Sequence, residues 1–289
     1  MGIRLVYGLK TGDISYLKLF YPSRRLAESA QALGLDYAAT IHVPGGSSEA
    51  TATFCKGHVA LLRGELPVSL YEQLEASGTV VVNSARSTAQ AGDKLRTAER
   101  CSLLGIAHPR TVSVDPNSDT TRFEYPFIAK PRFGKMGRGV FLVESVENWR
   151  SFLKTETAIS TPYLAQEYIV ASHGRDVRFF FARFDERQAG VTPVVVLRRG
   201  TGLASNAHAG GAMEPFEPPE FLRAEAERLF MDSGLVYGTV DFLFADETGS
   251  AFFVCETNAC PGFEALESMS GLDVARAILL AVSGTKGIS

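Results

Sequence analysis

Two acids and an amide late in the chain have the types and spacing to hold a hard metal ion. Asp241 stands in Val240-Asp241-Phe242-Leu243-Phe244, and Glu256 and Asn258 stand in Val254-Cys255-Glu256-Thr257-Asn258. Both runs read as strands, and the turn between them centres on Thr248 and Gly249. Symmetric pairing about that turn sets Asp241 opposite Glu256 and Leu243 opposite Val254. Asn258 is two residues beyond Glu256 and so shares its face. Like charges opposite each other repel, and burial makes the pair costlier unless a cation sits between them. A set made only of oxygen donors suits Mg²⁺ or Mn²⁺ and not zinc. The other reading is a solvated sheet face carrying unrelated acids.

A second group surrounds a glycine loop. Pro126-Phe127-Ile128-Ala129-Lys130 reads as a strand ending on a cation, followed by Gly134, Gly137 and Gly139 and then a further strand from Gly139 to Val143. Dinucleotide-binding and Walker-type loops feed a helix, so this order excludes both. A strand–loop–strand hairpin can close over phosphates as a flap that donates backbone N–H groups, with Lys130, Lys135 and Arg138 supplying charge. A plain turn is the competing reading. Asp93-Lys94 alone reads as a solvated helix charge.

Polar groups also edge an apolar strand at Gln166-Glu167-Tyr168-Ile169 and at Arg175-Asp176-Val177-Arg178. Such an edge offers backbone groups to an adenine, and Asp176 a carboxylate to a ribose hydroxyl; a surface strand end fits as well. Arg198-Arg199 supplies guanidinium forks suited to carboxylate or phosphate oxygens, and Asn206 and His208 follow in a glycine-rich loop. His208 reads equally as a general base or as a structural hydrogen-bonding group.

These residues need a scaffold of several lobes, and 289 residues suffice for two or three lobes around a cleft. With 45% hydrophobic and 21% charged residues, the composition is that of a globular protein. The net charge of −3 gives no basic excess for a nucleic-acid or membrane partner. Cys55, Cys101, Cys255 and Cys260 form no metal-binding spacing and read as reduced thiols. The start of the chain lacks a signal-peptide core, and no run reaches the roughly 20 apolar residues of a membrane span, so a cytoplasmic protein is expected. A homo-oligomer is compatible with all of this. Alternating strand and helix patterns over about the first 90 residues predict a parallel β-α-β lobe. Ser84 to Leu104 reads as one or two helices. From Pro126 onward, closely spaced strands with helices near Ser145–Lys154, Pro219–Met231 and Asp273–Val282 predict antiparallel α+β lobes. The expected division is 1–92, 93–163 and 164–289.

The order of these motifs resembles the ATP-grasp superfamily, in its RimK-type branch of glutamate and other amino-acid ligases. The elements that carry it are Asp93-Lys94, GIAHPRT (105–111), PFIAKPRFGKMGRGV (126–140), AQEYI (165–169), GRDVRFF (174–180), LRRG (197–200), SNAHAGG (205–211), VDFLF (240–244) and CETNACPGFEALE (255–267). The resemblance implies an ATP-grasp fold, with two lobes clamping ATP behind an N-terminal β-α-β lobe. It implies Lys94 and Lys130 on nucleotide phosphates, Gln166, Glu167, Tyr168 and Ile169 around adenine, and Asp176 at the ribose. Gly134, Gly137 and Gly139 form the flap. Asp241, Glu256 and Asn258 ligate two Mg²⁺ ions, with Mn²⁺ as an equivalent, while Arg178, Arg199 and Asn206 line the region of the acyl phosphate. The implied activity joins an amino-acid or peptide carboxylate to an amine through an acyl phosphate, releasing ADP and phosphate. Ala204 and Ala209 stand where such ligases often carry arginine, so substrate identity is not carried over. Two alternatives remain at this point: a kinase of the same fold acting on a small-molecule hydroxyl, and a non-catalytic nucleotide-binding module.

Overall fold

Alternating strands and helices build the first sheet of the computed structural model, which describes residues 1–115, 123–134, 137–184, 194–200, 202–203 and 212–285. The sequence runs β1 (Ile3–Gly8), α1 (Tyr21–Ala32), β2 (Tyr37–His42), α2 (Ser48–Cys55), β3 (Val59–Gly64), α3 (Val68–Ala76) and β4 (Val80–Val82). The strands pair in parallel in the order β2-β1-β3-β4. Parallel strands need cover on both faces. One face packs Val6, Ala60 and Leu62 against Leu70 and Leu74 of α3. The other packs Leu5 and Leu61 against Leu26 and Ala30 of α1, and also against Ile278, Leu279 and Val282 from the far end of the chain. The last helix thus closes the first sheet, a contact that local patterning does not reveal.

Two short helices lead out of this lobe, α4 (Ala85–Gly92) and α5 (Lys94–Leu104). The break falls at Asp93, whose carboxylate accepts from Leu95 N and Arg96 N and so caps α5. Next come β5 (Thr111–Ser113), β6 (Phe127–Pro131), β7 (Phe141–Val143), α6 (Val146–Leu153), α7 (Glu156–Ser160) and β8 (Tyr163–Glu167). They form an antiparallel sheet in the order β5-β8-β6-β7. This sheet continues through β8, past the expected boundary at residue 163. Its core is aromatic, with Phe127 edge-on to Trp149 at 5.1 Å between centroids.

The largest sheet has the order β11-β10-β9-β12-β13 and is antiparallel. Its members are β9 (Arg175–Ala182), β10 (Val194–Arg199), β11 (Ala212–Pro215), β12 (Tyr237–Phe244) and β13 (Phe252–Asn258). Helix α8 (Glu220–Ser233) precedes β12, and α9 (Glu264–Ser270) and α10 (Val274–Gly284) follow β13. Strand alternation gives the sheet two unlike faces. Val177, Phe179, Phe181, Val240 and Phe242 pack on Leu222, Ala226, Leu229 and Phe230 of α8. On the opposite face Phe180, Ala182, Val194 and Val196 pack on α10 and the first lobe. The remainder of that face carries Asp176, Arg178, Arg198 and Asp241, all buried. Among the described residues no helix is long and apolar enough to cross a membrane. All four cysteines are thiols outside any disulfide.

Candidate active site

Between the aromatic-cored sheet and the charged face of the largest sheet lies a cleft of about 930 Å³, open solvent at its mouth included. Its charged wall is a cross-strand ladder set by register. Arg198 of β10 stands opposite Asp176 of β9, Arg178 of β9 opposite Asp241 of β12, and Asp241 opposite Glu256 of β13. Arg178 forks Asp241, Nε to Oδ1 at 2.8 Å and Nη2 to Oδ2 at 2.5 Å. Arg198 forks Asp176 at 2.6 and 2.6 Å and also donates to Asp241 Oδ2 at 2.9 Å. Asp241 is 1% exposed. Burial alone would raise its pKa, but Arg178 and Arg198 outweigh burial and hold the carboxyl below its usual range. Burial likewise works against the charge of Arg198, and the Asp241 and Asp176 carboxylates more than restore it.

Strand β13 carries a bulge beside the acids. Asp241 faces Glu256 as symmetric pairing requires, but Phe242 faces Val254, so Leu243 meets Phe253 and not Val254 as expected. The extra residue is Cys255, and the bulge turns both Cys255 and Glu256 toward the cleft. Burial pushes the Cys255 thiol up to about 11. Asn258 follows Glu256 on the same strand face but is not part of the cleft wall; its Oδ1 accepts from Cys260 N at 2.9 Å.

Two lysines enter from the opposite wall. Lys94, the first residue of α5, donates to Gly134 O at 2.7 Å and lies 3.6 Å from a Glu256 oxygen. Asp93 fixes this start of α5, because Arg132 at the base of the glycine loop forks it at 2.8 and 2.7 Å. Burial would raise the Asp93 pKa, and the Arg132 fork with the helix N–H groups brings it below the usual range. Lys130 is buried and donates to Gln166 Oε1 at 2.8 Å. Gln166 Nε2 in turn donates to Thr111 Oγ1 at 2.8 Å, and Thr111 Oγ1 donates to Pro109 O at 2.8 Å. This chain fixes which way the Gln166 amide points, and so where Lys130 can reach. Thr111→Val removes the acceptor and frees the amide to turn. We expect a several-fold rise in the KM for ATP at unchanged kcat, read from initial rates of ADP release; an unchanged KM would sever the chain from nucleotide binding.

The structure therefore brings Lys94, Lys130, Gly134, Gly137, Gln166, Glu167, Tyr168, Ile169, Asp176, Asp241 and Glu256 to one cleft. Four expected residues sit elsewhere, Asn258 among them. Arg178 lies behind Asp241, 9% exposed. Gly139, at φ +72°, packs against Pro131 and the Tyr163 hydroxyl. Arg199 corrects the reading of the paired arginines: alternation turns it to the other face of β10, where it is half exposed and pairs with Glu214 at 3.0 Å. Arg198 takes the place in the cleft. Asn206 lies outside the described residues, as do Lys135, Ala204, His208 and Ala209.

The donor chemistry fits a hard divalent ion. Among the described residues no group of three His, Cys, Asp or Glu side chains gathers at one point. What the cleft offers is two carboxylates on neighbouring strands, and the Asn258 amide follows next along the same face of β13, oxygen donors throughout. Three arginine N–H groups already occupy most of the roughly four lone-pair sites of Asp241. Glu256 is the more open of the two acids.

Comparison with known proteins agrees with this architecture. The model of the RimK-like ATP-grasp domain matches residues 104–282. A protein of Xanthomonas oryzae pv. oryzae described as a probable alpha-L-glutamate ligase is 31% identical over 219 residues, 73% of this chain and 71% of the relative. The RimK-domain ATP-grasp protein of Sphaerobacter thermophilus has a TM-score of 0.70 at 23% identity, over 97% of this chain and 99% of that one. The D-alanine–D-alanine ligase of Bacillus anthracis, solved with ATP, has a TM-score of 0.71 at 16% identity, over 99% and 96%. The two structural likenesses speak for the fold, and the sequence matches speak for the family. This chain belongs to the RimK-like ATP-grasp family and is an ATP-dependent carboxylate–amine ligase.

Proposed function

We propose that the cleft activates an amino-acid or peptide carboxylate as an acyl phosphate and passes it to the amine of an amino acid. The observation that carries this reading is the Asp241–Glu256 pair facing Lys94, Lys130 and the glycine hairpin across one cleft. A free carboxylate is a poor electrophile, and phosphoryl transfer gives it a good leaving group. The amine then attacks the acyl carbon, and phosphate departs from the tetrahedral adduct. In this reading Lys94 and Lys130 grip phosphate oxygens, and Gln166 holds Lys130 in place. Backbone groups at Glu167–Ile169 meet adenine, with the hinge beside them, and Asp176 meets the ribose. Backbone N–H groups at Gly134 and Gly137 close over the phosphates and keep water from the acyl phosphate, with Gly139 at the base of the hairpin. Arg198 stands where charge develops on the reacting oxygens, with Arg178 holding Asp241 from behind, and we assign Asn206 to the same region on motif position alone.

Asp241, Glu256 and Asn258 would hold divalent magnesium, two ions in the proposed site, or manganese in its place. The metal, when bound, draws charge from the phosphate oxygens. The protein's own part is alignment and charge neutralisation. We assign the site to the cytoplasm, where ATP and magnesium are abundant, and place the lobe divisions near residue 92 and after Glu167, where the second sheet ends.

The decisive measurement is ADP release across pairs of acids and amines, with mass detection of the amide. L-Glutamate enters first, because the relatives are named alpha-L-glutamate ligases. Amide appearing only with both partners supports the proposal. ADP release without an amine and with a stable phosphoester product would turn the reading to a kinase; nucleotide binding without ADP release would turn it to a binding module.

A further inference from the structure

Arg63 is the largest fully buried side chain of the protein's described residues, at 1% exposure, and no carboxylate pairs with it in any described ion pair. A buried guanidinium without an acid partner is costly, so its bonds matter. It lies at the carboxyl end of β3, on the first sheet. Its donors leave that lobe: Nη2 donates to Pro261 O at 2.6 Å and Nη1 to the Tyr237 hydroxyl at 3.1 Å, while Nε has no hydrogen-bond partner among the described residues. The guanidinium carbon lies 5.4 Å from the ring centroid of Phe263 and 5.7 Å from that of Tyr237.

Asn83 does the same at the end of β4. Buried at 2% exposure, it donates through Nδ2 to Tyr237 O at 2.9 Å and to Ala259 O at 2.8 Å. Its Oδ1 accepts from Val236 N at 2.7 Å and Tyr237 N at 3.4 Å. Two side chains of the first lobe therefore hold both the start of β12, the strand of Asp241, and the backbone just after Asn258 at the end of β13. The turn they hold is the one in which Cys260 N donates to Asn258 Oδ1. Residues 258–261 are thus tied from behind at Ala259 and Pro261 and internally at Asn258.

We infer that Arg63 and Asn83 are positioning residues for the metal-binding end of β13, so that the first lobe sets the aim of the Asn258 carboxamide. The inference rests on the proposed metal role of Asp241, Glu256 and Asn258. Its physical basis is that a ligand on a strand end is only as well placed as the backbone behind it. Partners of this second layer are worth about 10–100-fold in metal affinity.

The test is Mn²⁺ binding to the full chain with a non-hydrolysable ATP analogue, read by the electron paramagnetic resonance of free and bound Mn²⁺. It is paired with Mg²⁺ activation curves and the ATP KM at saturating Mg²⁺. Asn83→Ala should weaken the more loosely held Mn²⁺ about 10-fold or more and shift the Mg²⁺ curve equally, with the ATP KM at saturating Mg²⁺ unchanged. Arg63→Lys keeps charge and one donor and should fall between wild type and Arg63→Met. Should Arg63→Met fail to fold, Asn83→Ala and Arg63→Lys carry the test. Variants that fold and bind Mn²⁺ as the wild type does would overturn the inference, and so would equal losses in Mn²⁺ affinity and ATP KM. A wild type that holds no Mn²⁺ with the analogue overturns the metal reading itself, a result distinct from either.

Discussion

Asp241→Asn is expected to lower ADP release by at least about 10²–10³-fold and to destabilise the fold at the same time. The first effect follows from its proposed metal role. The second follows from the ladder: at 1% exposure Asp241 neutralises Arg178 and shares Arg198 with Asp176. Removing one member of a buried ion pair leaves uncompensated charge and costs about 3–5 kcal/mol. The amide also turns an N–H donor toward guanidinium donors. Glu256→Gln separates the two effects. That acid is partly exposed and its described ionic partner is Lys94 at 3.6 Å, so activity should fall as far while the thermal midpoint stays near wild type. The stability gap of Asp241→Asn has a set pH dependence. The folded carboxyl is held below its unfolded value of about 3.9, so its contribution is complete above that value and is lost as pH falls through the folded pKa. The gap in thermal midpoint should thus hold steady between about pH 5 and about pH 8 and close only in stronger acid. An Asp241→Asn protein that keeps substantial turnover would remove this carboxylate from the metal site.

How far such sites can be read from sequence depends on which distances are local. The Asp241–Glu256 pairing was legible because one tight turn fixes a hairpin register, and the hairpin has it. Beyond the pair, counting by two fails: one extra residue at Cys255 shifts Leu243 from Val254 to Phe253. No propensity marks that bulge, since Val254-Cys255-Glu256 reads as ordinary strand. Lys130 was legible as the cation closing a strand before a glycine loop. The Thr111–Gln166–Lys130 chain was not, because it crosses β5, β8 and β6, whose spatial order differs from their chain order. The same limit hides α10 against the first sheet, and Arg63 and Asn83 against Tyr237 and Pro261. These last contacts join segments more than 100 residues apart, and the Thr111–Gln166–Lys130 chain spans 36 and 55 residues, all outside the reach of periodicity.

The Arg198-Arg199 pair poses that limit in its sharpest form, because neighbours on a strand must face opposite ways and sequence alone does not say which faces the cleft. The register across β9 settles it for this chain. Arg198 stands opposite Asp176, bonds both Asp176 and Asp241, and is 6% exposed, whereas Arg199 pairs with Glu214, with both side chains about half exposed. Arg198→Met strips the fork from Asp176 and one of three donors from Asp241, leaving two buried carboxylates short of charge. A loss of about 3–5 kcal/mol is expected, together with a fall in ADP release of about 10²–10³-fold. Lysine at 198 keeps the charge but cannot fork Asp176 and reach Asp241 together, so Arg198→Lys should recover only part of either quantity. Arg199→Met removes an exposed ion pair, worth about 0–1 kcal/mol, and should leave the ATP KM and turnover near wild type. Thermal denaturation and initial rates on the three variants decide the matter. If Arg199→Met were the more damaging of the two methionine substitutions, β10 would have to be turned over, and the alternating ladder of Arg198, Asp176, Arg178, Asp241 and Glu256 would go with it.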